Sequence, residues 1–330
     1  MKSAVPSLLL AALALGSGAS PAPRAFPASE TILIGGKVYV RLTEWARAND
    51  FETRWLKRDE TLELTGHSAK LQLQVDSRQA ELNGVTVWLS FPVADRNGSV
   101  YLALLDARTT MQPLLSPPKT RAGPTIRTVC LDPGHGGKDP GFCVGSRQEK
   151  KYTLLLAEEL RQQLIRAGLS VALTRTRDSF VELSARPDFA KRRNADLFVS
   201  LHFNSAGDSA GSVQGAEVYC LTPTGAPSTN AQGEGGGAGS STGNRFNDKN
   251  VLLAFHVQKA LDQSLGSEDR GVKRARYEVL RYATMPAILI EGGFMSHPDE
   301  GRKIASASYR RQMAHAIVEG LLSFKRAVEQ

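Results

Sequence analysis

From Thr125 onward, short apolar runs alternate with segments of helical period, and that alternation leaves few folds open. Thr128 to Leu131 is a strand-length apolar run, after which Tyr152, Leu155, Leu156, Leu160 and Leu164 fall at helical spacing. Val171 to Thr174 and Leu197 to Leu201 are two further strands. Leu253, Val257, Ala260 and Leu261 share one helix face, Ala287 to Ile290 is a buried strand, and Met313, Ile317, Leu321 and Phe324 mark a terminal helix. Strand-helix alternation of this kind predicts an α/β fold: a twisted, mostly parallel sheet with helices on both faces.

The preceding stretch reads differently. Ile32, Ile34, Val38, Val40 and Leu42 alternate as strand residues do, and so do Leu71, Leu73 and Val75. Asn83-Gly84 and Asn97-Gly98 are turn signals, and Leu42 to Phe51 has room for a helix. Residues 31–113 are therefore expected to form a small α+β domain. Pro117, Pro118 and Pro124 place a linker at 114–124, and the α/β domain is expected over 125–326. A chain of 330 residues is long enough for both.

Lys2, the apolar run Leu8 to Leu15 and the small residues Gly16 to Ser20 make the pattern of a cleaved signal peptide over residues 1–20. A buried N-terminal helix is the plainer alternative. The run is too short to span a bilayer, so no membrane span is expected after its removal. Export places the mature protein in the periplasm or outside the cell. Cys130, Cys143 and Cys220 match no Cys-pair metal spacing, and their spacing leaves open whether two pair or all stay as single thiols. The net charge of +8 suits an anionic polymer, a lipid surface or nucleic acid, and equally simple solubility. With no RNP-like, zinc-finger or basic-zipper pattern, nucleic acid is not expected. Thr222 to Asn247, rich in Gly, Ser, Thr and Asn, reads as a rim or lid over a cleft, or as an insertion without a role.

Chemistry gathers at strand ends. His135 follows the first strand of the α/β region, His202 closes Leu197 to Leu201, and Glu291 closes Ala287 to Ile290. Open α/β sheets bind ligands at the carboxyl ends of their strands, so the three residues can converge. Each alone has a bland explanation: a satisfied structural histidine, or a glutamate paired with an arginine. The turn Asp132-Pro133-Gly134-His135-Gly136-Gly137 lets the backbone approach a ligand closely. It lacks the Lys-Ser/Thr ending of a phosphate cradle, so a metal site is the better reading. Glu149 has two readings: the acid of a capping box opened by Ser146, or a carboxylate ligand at the same helix start. A catalytic zinc takes three protein groups and keeps one position open. Asp132 is read as shaping the turn, and Arg175 and Arg177 as partners of Asp178. Arg270 is a candidate for the cleft wall, and His256 for a packing or surface role.

Asp132-Pro133-Gly134-His135-Gly136-Gly137-Lys138-Asp139-Pro140-Gly141 resembles the signature of zinc-dependent N-acetylmuramoyl-L-alanine amidases of the type 3 class. So do Glu149, Thr174 to Asp178, Ser200 to Ser205, Arg270 to Lys273, and Pro286 through Ser296, in the family's order. The resemblance implies His135, Glu149 and His202 as zinc ligands and Glu291 as the catalytic acid/base. It implies hydrolysis of the amide between N-acetylmuramic acid and L-alanine, with peptidoglycan as partner. Gly292 and Phe203 depart from the small residues common there, and neither removes a group the chemistry needs. Gly36-Lys37-Val38-Tyr39-Val40 and Leu82-Asn83-Gly84 resemble the N-terminal domain of copper amine oxidases, without copper ligands. A peptidase acting within the stem peptide and a non-enzymatic wall-binding protein are the competing readings. Nothing in the sequence names a regulatory protein partner.

Overall fold

A computed structural model describes residues 30–119, 125–230 and 239–329. The expected leader over 1–20, residues 120–124 of the expected linker and the middle of the Gly-rich segment lie outside the described residues.

The N-terminal unit is built from short antiparallel connections, three of them two-residue hairpins at 35–36, 83–84 and 97–98. β1 (Thr31–Ile34) turns into β2 (Lys37–Arg41), and α1 (Leu42–Ala48) follows. A meander runs through β3 (Glu52–Lys57), β4 (Thr61–Thr65), β5 (Lys70–Gln74), β6 (Gln79–Leu82) and β7 (Val85–Trp88); β8 (Ala94–Arg96) and β9 (Ser99–Ala103) return beside β2. Asn83 and Gly84 both have positive φ (50° and 83°), which is what a tight hairpin between register partners Leu82 and Val85 requires. Alternation sets the faces: Leu62, Leu64, Leu71, Leu73, Ala80 and Leu82 are buried. The unit ends in α2 (Leu104–Asp106), a π-helical turn (Ala107–Met111) and α3 (Gln112–Leu115).

The second unit has the expected alternation. β10 (Thr128–Pro133) leads through a small ribbon, β11 (Cys143–Val144) and β12 (Arg147–Gln148), into α4 (Glu149–Arg166). β13 (Ser170–Leu173), α5 (Ala185–Arg192), β14 (Leu197–Asn204), β15 (Ala216–Leu221), α6 (Asn247–Leu265) and β16 (Asp269–Ala275) follow. The chain closes with α7 (Glu278–Arg281), β17 (Ala287–Phe294), α8 (Pro298–Ala305) and α9 (Ala307–Glu329). The strand order is β13-β10-β14-β17-β15-β16, parallel except where β15 runs antiparallel to β17. On one face Leu131, Val199, Leu201, Ile288 and Ile290 pack with residues of α4, α6 and α9. On the other Cys130, Phe198, Tyr219 and Leu289 pack with residues of α5 and α7. Strands covered on both sides read as continuous apolar runs for this reason.

The sheet does not stop at β16. β7 pairs with it in parallel through Val87 and Val272, so the meander β3–β7 and the six strands of the second unit's sheet form one sheet of eleven, while β1, β2, β9 and β8 form a separate sheet of four.

Candidate metal centre

The site forms along the C-terminal halves of β14 and β17 and just beyond β10; β14 and β17 run on to Asn204 and Phe294, so His202 and Glu291 lie within their strands rather than closing them. His135 sits one residue beyond Gly134 with a positive φ of 61°. A Cβ on Gly134 would lie 2.2 Å from the His202 ring, and one on Gly141 would lie 2.6 Å from both Glu149 Oε2 and the His135 ring. Glycine at these two positions is what lets the imidazoles and the carboxylate close on one another. His135 Nε2 is 3.0 Å from Glu149 Oε2, and His202 Nδ1 is 3.0 Å from Glu149 Oε1. The two rings stand edge to face with centroids 4.9 Å apart.

Glu149 is not a helix cap. It is the first residue of α4, only 4% exposed, and no side chain caps that helix. Its carboxylate also accepts the backbone N–H groups of Phe142 (3.0 Å) and Phe203 (3.2 Å). Burial pushes the Glu149 carboxyl up, but hydrogen bonds and charge from His135 and His202 hold it well below its ordinary 4.5. Burial disfavours a charged His135, yet Glu149 and Asp139 outweigh it and raise its pKa above 6.5. Asp139 Oδ2 is 2.8 Å from His135 Nδ1, which turns Nε2 towards Glu149. Two imidazoles, one buried carboxylate and a second carboxylate behind an imidazole make the donor set of a divalent metal site. Among the described residues, no other His, Cys, Asp and Glu group has this arrangement; one ligand atom from each of His135, Glu149 and His202 lies within 4.8 Å of the others.

The loop carrying His135 is clamped from below. Asp132 Oδ1 accepts from Thr174 Oγ1 (2.6 Å) and Arg186 Nη1 (2.8 Å), and Oδ2 accepts from Ser200 Oγ (2.8 Å). Arg186 also donates to the carbonyls of Pro133 and His135, each at 3.0 Å. Asp132, in β10, therefore ties Ser200 of β14 and Thr174, just past β13, to a buried guanidinium, a larger role than shaping the turn. Arg175 donates to the carbonyls of Pro133 (3.0 Å), Gly134 (2.8 Å) and Lys150 (2.7 Å). Asp178, its expected partner, is taken by Lys150 Nζ and the Gly137 N–H.

Glu291 lies in register with His202 of β14 on one side and Glu217 of β15 on the other. The β14–β17 register shifts between His202 and Asn204, a bulge of the kind found beside sites. Glu291 reaches a cavity of about 180 Å³ lined also by His135, His202, Leu183, Tyr277 and Leu289. Its Oε2 is buried with no hydrogen-bond partner. Burial first, then the charges of Glu149 and Glu217, push its carboxyl well above 4.5, against the opposing pull of Lys273.

Sequence reasoning missed Glu217, which is 1% exposed. It accepts from Asn204 Nδ2 (2.8 Å), Tyr219 OH (2.7 Å) and Arg270 Nε (3.1 Å), and pairs closely with Lys273 Nζ. A lone acid inside the otherwise uncharged strand Ala216–Leu221 was the available signal. His256 packs away from the cluster, with Nδ1 3.0 Å from Ser323 Oγ. All three cysteines are free thiols, Cys130 and Cys220 buried and Cys143 exposed.

Comparison with known proteins gives the family. The N-acetylmuramoyl-L-alanine amidase family profile matches residues 129–323, more than half of the chain. The copper amine oxidase N-terminal domain profile matches residues 25–108. The chain is 35% identical over 215 residues to the N-acetylmuramoyl-L-alanine amidase AmiC of Neisseria meningitidis, covering 58% of this chain and 51% of that one. It is 31% identical over 233 residues to AmiA of Escherichia coli, covering 63% and 80%. The chain thus spans about half the length of the first relative. Among solved structures, the amidase AmiC2 of Nostoc punctiforme aligns with a TM-score of 0.51 at 34% identity, covering 62% of this chain and 99% of that one. The chain belongs to the N-acetylmuramoyl-L-alanine amidase family.

Proposed function

We propose that this protein hydrolyses the amide bond between N-acetylmuramic acid and L-alanine in peptidoglycan, using one zinc ion. The observation that carries the proposal is the meeting of two imidazoles and a buried carboxylate beside a second carboxylate whose Oε2 has no partner. His135, Glu149 and His202 would hold the metal. Zinc so held supplies a Lewis acid and lowers the pKa of water towards about 7.

The chain's own groups do the rest. Asp139 keeps a proton on His135 Nδ1, leaving Nε2 free to bind. Glu291 takes a proton from the attacking water and returns it to the departing L-alanine nitrogen. The amide C–N bond breaks, a C–O bond forms at the lactyl carbonyl, and a carboxylate and an amine are released. Tyr277, Leu183 and Leu289 wall the cavity and limit bulk water around the reacting amide. In the same reading residues 1–20 direct export, the protein works in the periplasm or outside the cell, and residues 31–113 and 125–326 are two domains. Among the described residues no helix is long and apolar enough to cross a membrane.

The test is digestion of purified sacculi by the full mature chain, with mass analysis of the released fragments, with and without chelator. Intact stem peptides beginning at L-alanine are expected, lost with chelator and restored by zinc. Peptides cut within the stem would replace this reading with a peptidase. No release in the presence of zinc would remove the hydrolase assignment.

A further inference from the structure

β16 would be the edge of the catalytic sheet, with open N–H and C=O groups, were it not for β7. The N-terminal unit covers that edge and bonds to it along its length. Thr86 N–H donates to Asp269 Oδ2 (2.6 Å), and Trp88 Nε1 donates to the carbonyl of Arg270 (3.0 Å). Gly271 has φ of 84°, and a Cβ there would lie 2.6 Å from the Thr86 carbonyl, so only glycine admits this approach. At the far end of β16, Arg274 is 1% exposed and donates to Thr109 O (2.9 Å) and Thr110 Oγ1 (3.1 Å) of the π-helical turn.

The same strand carries the cations that hold Glu217. Arg270 and Lys273 both bind Glu217 Oε2, and Lys273 Nζ lies 5.9 Å from the Trp88 ring centre. Glu217 stands directly across from Glu291 in the β15–β17 register. An unbroken chain of contacts therefore runs from Trp88 through Arg270 and Lys273 to Glu217, next to the carboxylate with the unpartnered Oε2.

We propose that the N-terminal unit is a working part of the catalytic site: Trp88 and Thr86 hold β16, whose Arg270 and Lys273 position Glu217 beside Glu291. The catalytic consequence rests on the amidase reading; the mechanical one does not. Trp88 and Glu217 are positioning residues, since neither needs to touch substrate.

The test uses the full chain with Trp88→Ala, Trp88→Phe and, as control, Trp55→Ala on the far edge strand β3. Hydrogen exchange of the metal-free protein is read over 216–221 and 269–275. Trp88→Ala should speed exchange in both segments, Trp88→Phe should do so less because its ring remains, and Trp55→Ala should leave both unchanged. On a soluble muropeptide, Trp88→Ala should lower kcat by about tenfold or more, the scale on which misplaced groups act. KM and bound zinc should hold. Unchanged exchange in β15 and β16 would overturn the proposal, and so would a wild-type kcat in Trp88→Ala. If the unaltered chain cleaves no muropeptide, the amidase reading falls and the exchange measurement still decides this one. If Trp88→Ala fails to fold, Trp88→Phe, which removes one hydrogen bond, decides by the same two criteria.

Discussion

Asp132→Asn isolates the charge that holds the His135 loop. The amide has the carboxylate's shape, its Oδ1 can still accept from Thr174 and Arg186, and Ser200 can rotate its hydroxyl to accept from Nδ2. What vanishes is the anion beside Arg186, a side chain only 2% exposed. Removing one partner of a buried ion pair costs about 3–5 kcal/mol, because the other charge stays buried and uncompensated. Arg186 keeps three carbonyl acceptors, those of Pro133, His135 and Val181, so the lower end, about 3 kcal/mol, applies. At about 2–4 °C per kcal/mol for a unit of this size, the melting temperature should fall by about 6–12 °C. Arg186 also holds the His135 carbonyl, so zinc affinity should weaken by about tenfold or more, as for other groups that orient ligands. Thermal melts of the metal-free protein and competition for zinc with a chromophoric chelator measure the two effects. A melting temperature within about 2 °C of the parent with unchanged zinc affinity would mean that the carbonyls alone satisfy Arg186, and the clamp argument would fail.

Other outcomes follow from the same geometry. Glu291→Gln should bind zinc normally yet lose about 10²–10⁴-fold in kcat, checked by metal analysis and muropeptide turnover. Glu149→Ala removes the carboxylate shared by both imidazoles, so the purified variant should contain far less zinc than the parent, as elemental analysis would register. Zinc added at a hundred times its Kd should stabilise the unaltered protein by about 2.7 kcal/mol, and a chelator should reverse the gain in a thermal melt. His256 is held neutral by burial, with Lys259 and Arg326 adding to it, and its pKa is pushed down to about 4 from 6.5. The unfolded chain binds that proton first as pH falls, so stability should decline from pH 6.5 down to about 4. His256→Gln should flatten that slope in melting temperature against pH.

Much of the fold and site could be read from the chain because it is written in local periodicity. The strands that place His135, His202 and Glu291 are visible as apolar runs meeting a polar residue, although β14 and β17 continue past that residue. Glu149 was ambiguous because Ser146 stands three residues before it, as in a capping box; only the packing of its carboxylate between two rings separates the readings. Asp139, Arg186 and Glu217 left little trace, since each acts through a partner supplied by the folded arrangement. The Arg186 bond to Asp132 crosses 54 positions and the Lys273 bond to Glu217 crosses 56. The shared sheet is further from reach: Thr86 and Asp269 are 183 positions apart. No periodicity encodes which edge a hairpin domain will join.

The central claim is that one divalent ion sits among His135, Glu149 and His202, facing Glu291. Anomalous scattering at the zinc edge from a crystal of the zinc-loaded full chain tests it most directly. The account predicts one strong peak in bonding contact with His135 Nε2, His202 Nδ1 and a Glu149 carboxylate oxygen, with Glu291 beside it. A peak bound elsewhere, or none at full zinc loading, would contradict it.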